Sequence, residues 1–231
     1  MLNAAVTAAL GGSILRPVSD FTAAGTITYY WAGQQVQGTA TLRARGFDQF
    51  RLDANIPNGT RSYVVSHGVG WLKDTSGSIT AIPYFNTINI GILSFPYAGI
   101  TARLADPLTA ISDLGLVNSN SSTTQLHQVH VQRAFPSVQD PNGALAGWCV
   151  TDYFLDPQTS LVMQVVDQTR AVGDPTQSFA HEIDLGTYTV VNGVNVPMTV
   201  SESVEGQTIW QVQLSSISFN VGLTDADFAL Q

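Results

Sequence analysis

Charged residues are scarce in this chain of 231 residues, where they make up 11% of the sequence, against about 25% in typical soluble domains. Hydrophobic residues make up 44%, which excludes disorder, because disordered chains combine low hydrophobicity with high charge. The 17 acidic and 9 basic side chains give a net charge of −8. We expect no nucleic-acid partner, because binding to phosphates needs clustered Lys and Arg side chains.

Lysine and glutamate are nearly absent. Lys73 is the only lysine, and Glu182, Glu202 and Glu205 are the only glutamates, whereas Thr, Ser, Gln and Val are abundant. This composition favours strands whose outward face is polar but uncharged. It is more typical of proteins outside the cytoplasm, so we expect a periplasmic or secreted protein whose signal peptide has been removed from this chain.

Cysteine and long apolar runs are also missing. Cys149 stands alone, so neither an internal disulfide nor a thiolate metal cluster can form, and we interpret it as a small buried hydrophobe in a strand-like run, residues 148–150. The longest uncharged stretch lies between Asp74 and Arg103, but prolines and glycines interrupt it. A membrane-spanning helix needs about 20 mainly apolar residues, so no transmembrane span is expected.

The hydrophobic pattern predicts a helix first and strands afterwards. Apolar residues at helical spacing indicate a helix over residues 2–10. From Phe21 onwards the apolar residues mostly alternate with polar ones, which predicts strands with one buried face, and a change of parity near Ser215 and Ser216 predicts a bulge. The expected fold class is α+β, mainly β: one antiparallel sheet in a single domain, residues 1–231.

The segment of residues 84–116 departs from this pattern. Its apolar residues form two approximate helical stripes, and Pro96 and Pro107 divide it. We therefore predict short helices or loops that lie across the sheet and cover it.

No catalytic or metal-binding motif is visible, and no cofactor is expected. There is no Gly-x-Ser-x-Gly nucleophile elbow. His127 and His130 lie three positions apart in a predicted strand, so they point to opposite faces and cannot chelate one ion together. Asp156 precedes Pro157, which predicts a turn that ends a strand rather than a catalytic carboxylate.

Several weak motifs in a consistent order carry a resemblance. They are GTITYYWAGQQVQGTATLRARGFDQFRLD at residues 25–53, SHG at 66–68 followed by Trp71, YFLDPQTSL at 153–161, YTVVNGVNVP at 188–197 and FNVGL at 219–223. On these segments the chain resembles the bacterial lipoprotein-carrier superfamily of LolA, LolB and RseB-type proteins, and in particular its uncharacterised exported members.

The resemblance implies a strongly curved antiparallel sheet, an incomplete barrel closed by helices, with an apolar cavity for acyl chains and no catalysis. Arg43 lies where the carriers place an arginine that latches the lid. The proline that follows that arginine in the family is replaced here by Ala44. The segment of residues 84–116 matches the family poorly.

The predicted ligand site consists of aromatic and aliphatic residues that fall on the apolar face of successive predicted strands. Trp71 is the exception, because the resemblance places it there. The predicted wall is Ile27, Tyr29, Trp31, Leu42, Phe50, Leu52 and Trp71, and the predicted cover is Ile88, Ile92 and Phe95. The leading interpretation is an exported, non-enzymatic protein that binds a hydrophobic small molecule or acyl chain. A structural or protein-interaction module with a closed core is the second, and a hydrolase the third.

Overall fold

The computed structural model describes residues 1–9, 18–31, 33–88, 96–118 and 124–229. The helices within these ranges are α1 (Leu2–Ala9), α2 (Pro96–Ala105) and α3 (Ala144–Trp148), with 3₁₀ turns at Tyr84–Asn86 and Asp225–Phe228. The strands are β1 (Asp20–Trp31), β2 (Gln34–Arg45), β3 (Gln49–Ile56), β4 (Gly59–Ser66), β5 (Val69–Lys73), β6 (Ile79–Ile82), β7 (Thr109–Asn118), β8 (Gln125–Arg133), β9 (Val150–Leu155), β10 (Val162–Ala171), β11 (Asp174–Val191), β12 (Val194–Val204) and β13 (Gln207–Phe219).

Across the described ranges, thirteen strands form one open sheet in the order β6-β5-β4-β3-β2-β1-β13-β12-β11-β10-β9-β8-β7. Every pairing is antiparallel, as the sequence predicted. The predicted bulge is confirmed, because Ala24 pairs with Ser216 and Gly25 with Leu214, which leaves Ser215 unpaired in the register.

The sheet is strongly curved, and its first edge reaches over its middle. Asn86, just after edge strand β6, donates its side-chain N–H to Arg170 O of β10 at 2.8 Å and accepts the Arg170 N–H at 2.8 Å. Eight strands separate β6 from β10 in the sheet, so these bonds require the sheet to bend back on itself. We call the enclosed, apolar side the inner face and the other side the outer face.

The predicted N-terminal helix packs on the inner face of the sheet. Leu2, Ala5 and Ala9 are buried in the same core as the strand residues, and Asn195 of β12 donates a hydrogen bond to Ala8 O at 2.7 Å. The helix is described over Leu2–Ala9, and Leu10, the predicted last residue, lies outside the described residues. Helix α2 adds Tyr97 and Ile100 to this core.

Two predictions of local structure need correction. Residues 109–118 form strand β7, not a helix or loop, because their backbone pairs with β8. The alternation of polar and apolar residues is weak there for two reasons. An edge strand buries few side chains, and a bulge between Asp113 and Gly115 changes which residues point to each face. Trp148 ends helix α3 instead of starting a strand, and β9 begins at Val150.

Candidate functional site

Five of the predicted wall residues lie together on the inner face. Ile27 and Leu42 are buried in the core. Tyr29, Phe50 and Leu52 line a small cavity of about 160 Å³. Leu42 and Leu52 are directly paired across β2 and β3, and such neighbours project from the same face. The period-two pattern therefore identified the inner face, although part of it is packed shut.

Trp31 and Trp71 lie elsewhere. Trp31 has the right parity but is 70% exposed, because it ends β1 at the turn of its hairpin, beyond the core. Trp71 is paired with Val64, which is paired with Arg51 of β3. That row lies on the outer face, so the placement of Trp71 in the wall, which rested on the resemblance, is corrected.

Arg43 is also on the outer face, paired with Arg51 across β2 and β3. Its Nη1 lies 3.0 Å from Asp53 Oδ2, and Arg51 Nε lies 2.7 Å from the same oxygen. Arg51 also donates to the carbonyls of Asp227 and Ala229. Arg43 thus bonds within the sheet, and the latch that the resemblance implied is corrected.

The predicted cover is only partly described. Ile92 and Phe95 lie outside the described residues. Ile88 lines a second, larger cavity of about 600 Å³, which we call the α2 cavity. Ile88 and the wall residues Tyr29, Phe50 and Leu52 therefore border different cavities.

The α2 cavity lies where the turns of two hairpins face the ends of β8 and β9 beneath helix α2. Its lining is Phe47, Asp48, His67, Gly68, Tyr84, Thr87, Ile88, Gly99, Ala102, Arg103, Ala105, Asp106, Arg133, Phe135 and Cys149. Phe47 and Tyr84 are about half exposed there. Exposed aromatic rings around a concavity are typical of ligand sites.

One wall of the α2 cavity depends on a close approach at Gly68. The φ of Gly68 is +78°, and a Cβ there would lie 3.0 Å from the Tyr84 ring. Thr87 fixes the same segment, since its hydroxyl donates to Gly68 O at 2.7 Å. Glycine is the residue that permits both the left-handed backbone and the contact with the ring.

Four of the five charged side chains that line the α2 cavity form two pairs, and the fifth, Arg103, lies near the buried Cys149 thiol. His67 Nδ1 lies 2.7 Å from Asp48 Oδ2, a hydrogen bond that raises the pKa of His67. Arg133 Nε lies 2.5 Å from Asp106 Oδ2, and its guanidinium lies 4.4 Å from the centre of the Phe135 ring. The Leu108 N–H and Arg133 lower the pKa of Asp106. The lining therefore combines paired charged groups with aromatic side chains.

Cys149 is the thiol that lines the α2 cavity. Burial raises the pKa of the Cys149 thiol, and a protonated thiol is a weak nucleophile. The two histidines considered above contact different carboxylates, His127 that of Asp113 at 2.5 Å and His130 that of Asp152 at 3.0 Å. Within the described ranges, no three His, Cys, Asp or Glu residues are grouped to hold a metal ion.

A buried charged cluster on the inner face was not predicted from the sequence. His181 of β11 is 8% exposed; its Nδ1 lies 2.5 Å from Asp167 Oδ1 of β10, and its Nε2 lies 3.1 Å from Glu202 Oε1 of β12. Burial alone would lower the pKa of His181, but the two carboxylates raise it to about 10. The alternation of β11, which puts His181 on the same face as Ile183 and Leu185, was the available signal.

No family model matches the chain, and no curated protein matches its sequence. Solved structures do match it in fold. A domain from Vibrio parahaemolyticus, described as belonging to an outer membrane lipoprotein-sorting protein, is 12% identical with a TM-score of 0.57, over 98% of this chain and 95% of that chain. A LolA superfamily protein from Nitrosomonas europaea is 10% identical with a TM-score of 0.57, over 99% and 96%.

The chain has a LolA-like fold.

A third structure agrees with this fold. A DUF1329 family protein from Desulfovibrio piger is 10% identical with a TM-score of 0.60, over 99% of this chain and 95% of that chain. At identities of 10–12% this likeness establishes the LolA-like architecture. None of the described helices is long and apolar enough to cross a membrane.

Proposed function

We propose that this protein is an exported, non-enzymatic binding protein that holds an acyl chain or a similar hydrophobic ligand in the α2 cavity. The observation that carries the proposal is the size and lining of that cavity. Its volume of about 600 Å³ falls within the range of roughly 300–1,000 Å³ found for small-molecule sites, and aromatic side chains form its walls.

The α2 cavity has both apolar and charged lining residues, which suits an acyl chain with a polar end. Each buried CH₂ group contributes about 0.8 kcal/mol, so several methylene groups against Phe47, Tyr84, Ile88 and Phe135 give useful affinity. The Asp48–His67 and Asp106–Arg133 pairs, whose side chains are partly exposed, can contact the polar end of the ligand. Discrimination between chains of similar length is expected to be weak, because apolar contacts are not directional.

The LolA-like fold supports this function by analogy. One of the structures with this fold is described as a lipoprotein-sorting domain, and a lipoprotein presents acyl chains to its carrier. The low content of Lys and Glu supports export.

Filling the α2 cavity tests the proposal. Ala102 lines the cavity from α2 and is half-buried, so Ala102→Trp places an indole ring in the ligand's space. We expect the wild type to bind a fluorescent fatty acid saturably, and the variant to bind it at least about tenfold more weakly, a loss of about 1.4 kcal/mol. Fluorescence titration measures both affinities.

The matched control adds the same indole ring elsewhere. Val138 is 94% exposed and does not line the α2 cavity, so Val138→Trp is expected to bind the fatty acid as the wild type does. Absence of saturable binding by the wild type would refute the proposal. Equal affinities for the Ala102→Trp and Val138→Trp variants would place any binding outside the α2 cavity.

A protein-interaction module is the second candidate, and strand β7 favours it. β7 is at one edge of the open sheet and exposes Ile111, Leu114 and Leu116. An edge strand with apolar side chains can pair with an extended segment of another protein. This candidate predicts contacts at β7 instead of the α2 cavity.

A further inference from the structure

Two small adjoining cavities lie near the Tyr84–Asn86 turn. Tyr84 lines the α2 cavity, whereas Phe85 and Asn86 line one of the small cavities. One, of about 160 Å³, is the cavity lined by Tyr29, and the other is about 150 Å³. They share Tyr63, Ile82 and Glu202 as lining residues. A cavity of about 150 Å³ holds a molecule the size of benzene. We call the pair the Glu202 cleft.

Aromatic rings form the walls of the Glu202 cleft. Tyr29, Phe50, Tyr63 and Trp210 line its larger part, and the Phe50 and Tyr63 rings meet edge to face at 6.2 Å. Burial raises the pKa of Tyr29 to about 12 and raises that of Tyr63, so both phenols are neutral at neutral pH. Neutral aromatic faces carry partial negative charge and attract cations.

The charged cluster at the junction of the two cavities is negative overall. Glu202 and Asp167 both line the cleft, and His181 lies between them. With its pKa near 10, His181 is protonated at neutral pH and cancels one of the two carboxylate charges. The cluster of His181, Asp167 and Glu202 by itself therefore keeps one negative charge, whereas Arg61, which lines the same cleft, brings the total charge of the lining to zero.

A cation of the chain itself already contacts these walls. Arg61 lines the same cavity, and its guanidinium lies 5.2 Å from the centre of the Tyr29 ring. This contact shows that the aromatic wall accepts a positive charge. It also means that a bound cation would experience repulsion from Arg61.

We propose that the Glu202 cleft binds a small organic monocation, an ammonium ion with methyl or other short alkyl substituents. Glu202 supplies the opposite charge, the four aromatic rings contact the alkyl groups, and the volume admits one such ion. This site is separate from the α2 cavity, and the proposal does not rest on acyl-chain binding.

Choline and its uncharged analogue, in which carbon replaces the ammonium nitrogen, are the probes for this proposal. The two molecules have nearly the same shape, so their difference in affinity measures the contribution of charge. We expect choline to bind saturably in isothermal titration calorimetry, roughly tenfold more tightly than the analogue. Equal affinity, or no binding of choline, would overturn the proposal.

Two substitutions in the cleft are expected to act in opposite directions. Glu202→Gln keeps an acceptor for His181 but removes the charge, and should weaken choline binding by about fivefold or more. Arg61→Gln removes the competing cation and should strengthen it by about twofold or more. A gain of affinity cannot arise from misfolding. Weaker choline binding by Arg61→Gln would show that Arg61 does not compete with a bound cation and would overturn the proposal.

Discussion

Replacing His181 with alanine is expected to lower the free energy of unfolding by about 3–5 kcal/mol. His181 connects three neighbouring strands through its bonds to Asp167 and Glu202. Without the imidazolium, two carboxylates remain on the inner face with no opposite charge between them. Removing one partner from a buried ionic group is costly because the remaining charge stays desolvated.

His130 provides the matched control for this substitution. Like His181, it contacts a carboxylate, here that of Asp152 alone. In contrast to His181, its side chain is about one-third exposed. Exposed ion pairs contribute about 0–1 kcal/mol, so His130→Ala should cost no more than that. Urea unfolding at pH 7 measures both variants. Similar losses for His181→Ala and His130→Ala would contradict the account of the buried cluster.

The same cluster predicts the dependence of stability on pH. The pKa of His181 is raised to about 10 in the folded protein, above the value of about 6.5 in an unfolded chain. Its contribution is therefore complete below about pH 6.5 and is lost as the pH rises towards 10. Between pH 7 and 9 the wild type should lose about 1.4 kcal/mol per pH unit relative to His181→Ala. A constant difference across this range would contradict the prediction.

Replacing Gly25 with alanine is expected to cost at least about 2 kcal/mol, because overpacking forces the backbone to move. A Cβ at Gly25 would lie 2.1 Å from the backbone oxygen of Gln213 in the neighbouring strand β13. Gly25 is also next to the register shift between β1 and β13. The sheet must separate or change its register there to admit a methyl group.

Gly186 is the control, because it also lies within a long strand. A Cβ at Gly186 meets no atom within 4 Å, and its φ is not positive. Gly186→Ala should therefore be neutral or stabilise the protein by up to about 1 kcal/mol through the unfolded state. Thermal unfolding of the two variants should show a lower midpoint for Gly25→Ala only. A wild-type midpoint for Gly25→Ala would disprove the close packing of β1 against β13.

The antiparallel sheet could be predicted because polar and apolar residues alternate where one face is buried. That pattern identified Ile27, Leu42 and Leu52 as inner-face residues, and the parity change at Ser215 revealed the bulge. It failed for Trp31 because parity does not show where the core ends along a strand. It also failed for β7, whose single neighbour leaves both faces largely exposed.

The candidate site was harder to predict because it depends on contacts between distant segments. The α2 cavity brings together turns near Phe47 and His67 with the ends of β8 and β9, and no local pattern reports how far a sheet curves. The bonds between Asn86 and Arg170, which show the curvature, join residues that the sequence does not relate. The partners of His181 likewise follow from strand register, which requires the complete topology.

Photo-crosslinking with a diazirine-bearing fatty acid tests the central claim most directly, because it shows where the acyl chain lies. After irradiation and digestion, mass spectrometry identifies the labelled residues. Binding in the α2 cavity predicts labels on its lining, chiefly Phe47, Tyr84, Ala102 and Phe135, and their loss when unlabelled fatty acid is added in excess. Labels confined to edge strand β7, at Ile111, Leu114 or Leu116, or labels that excess ligand does not displace, would contradict it.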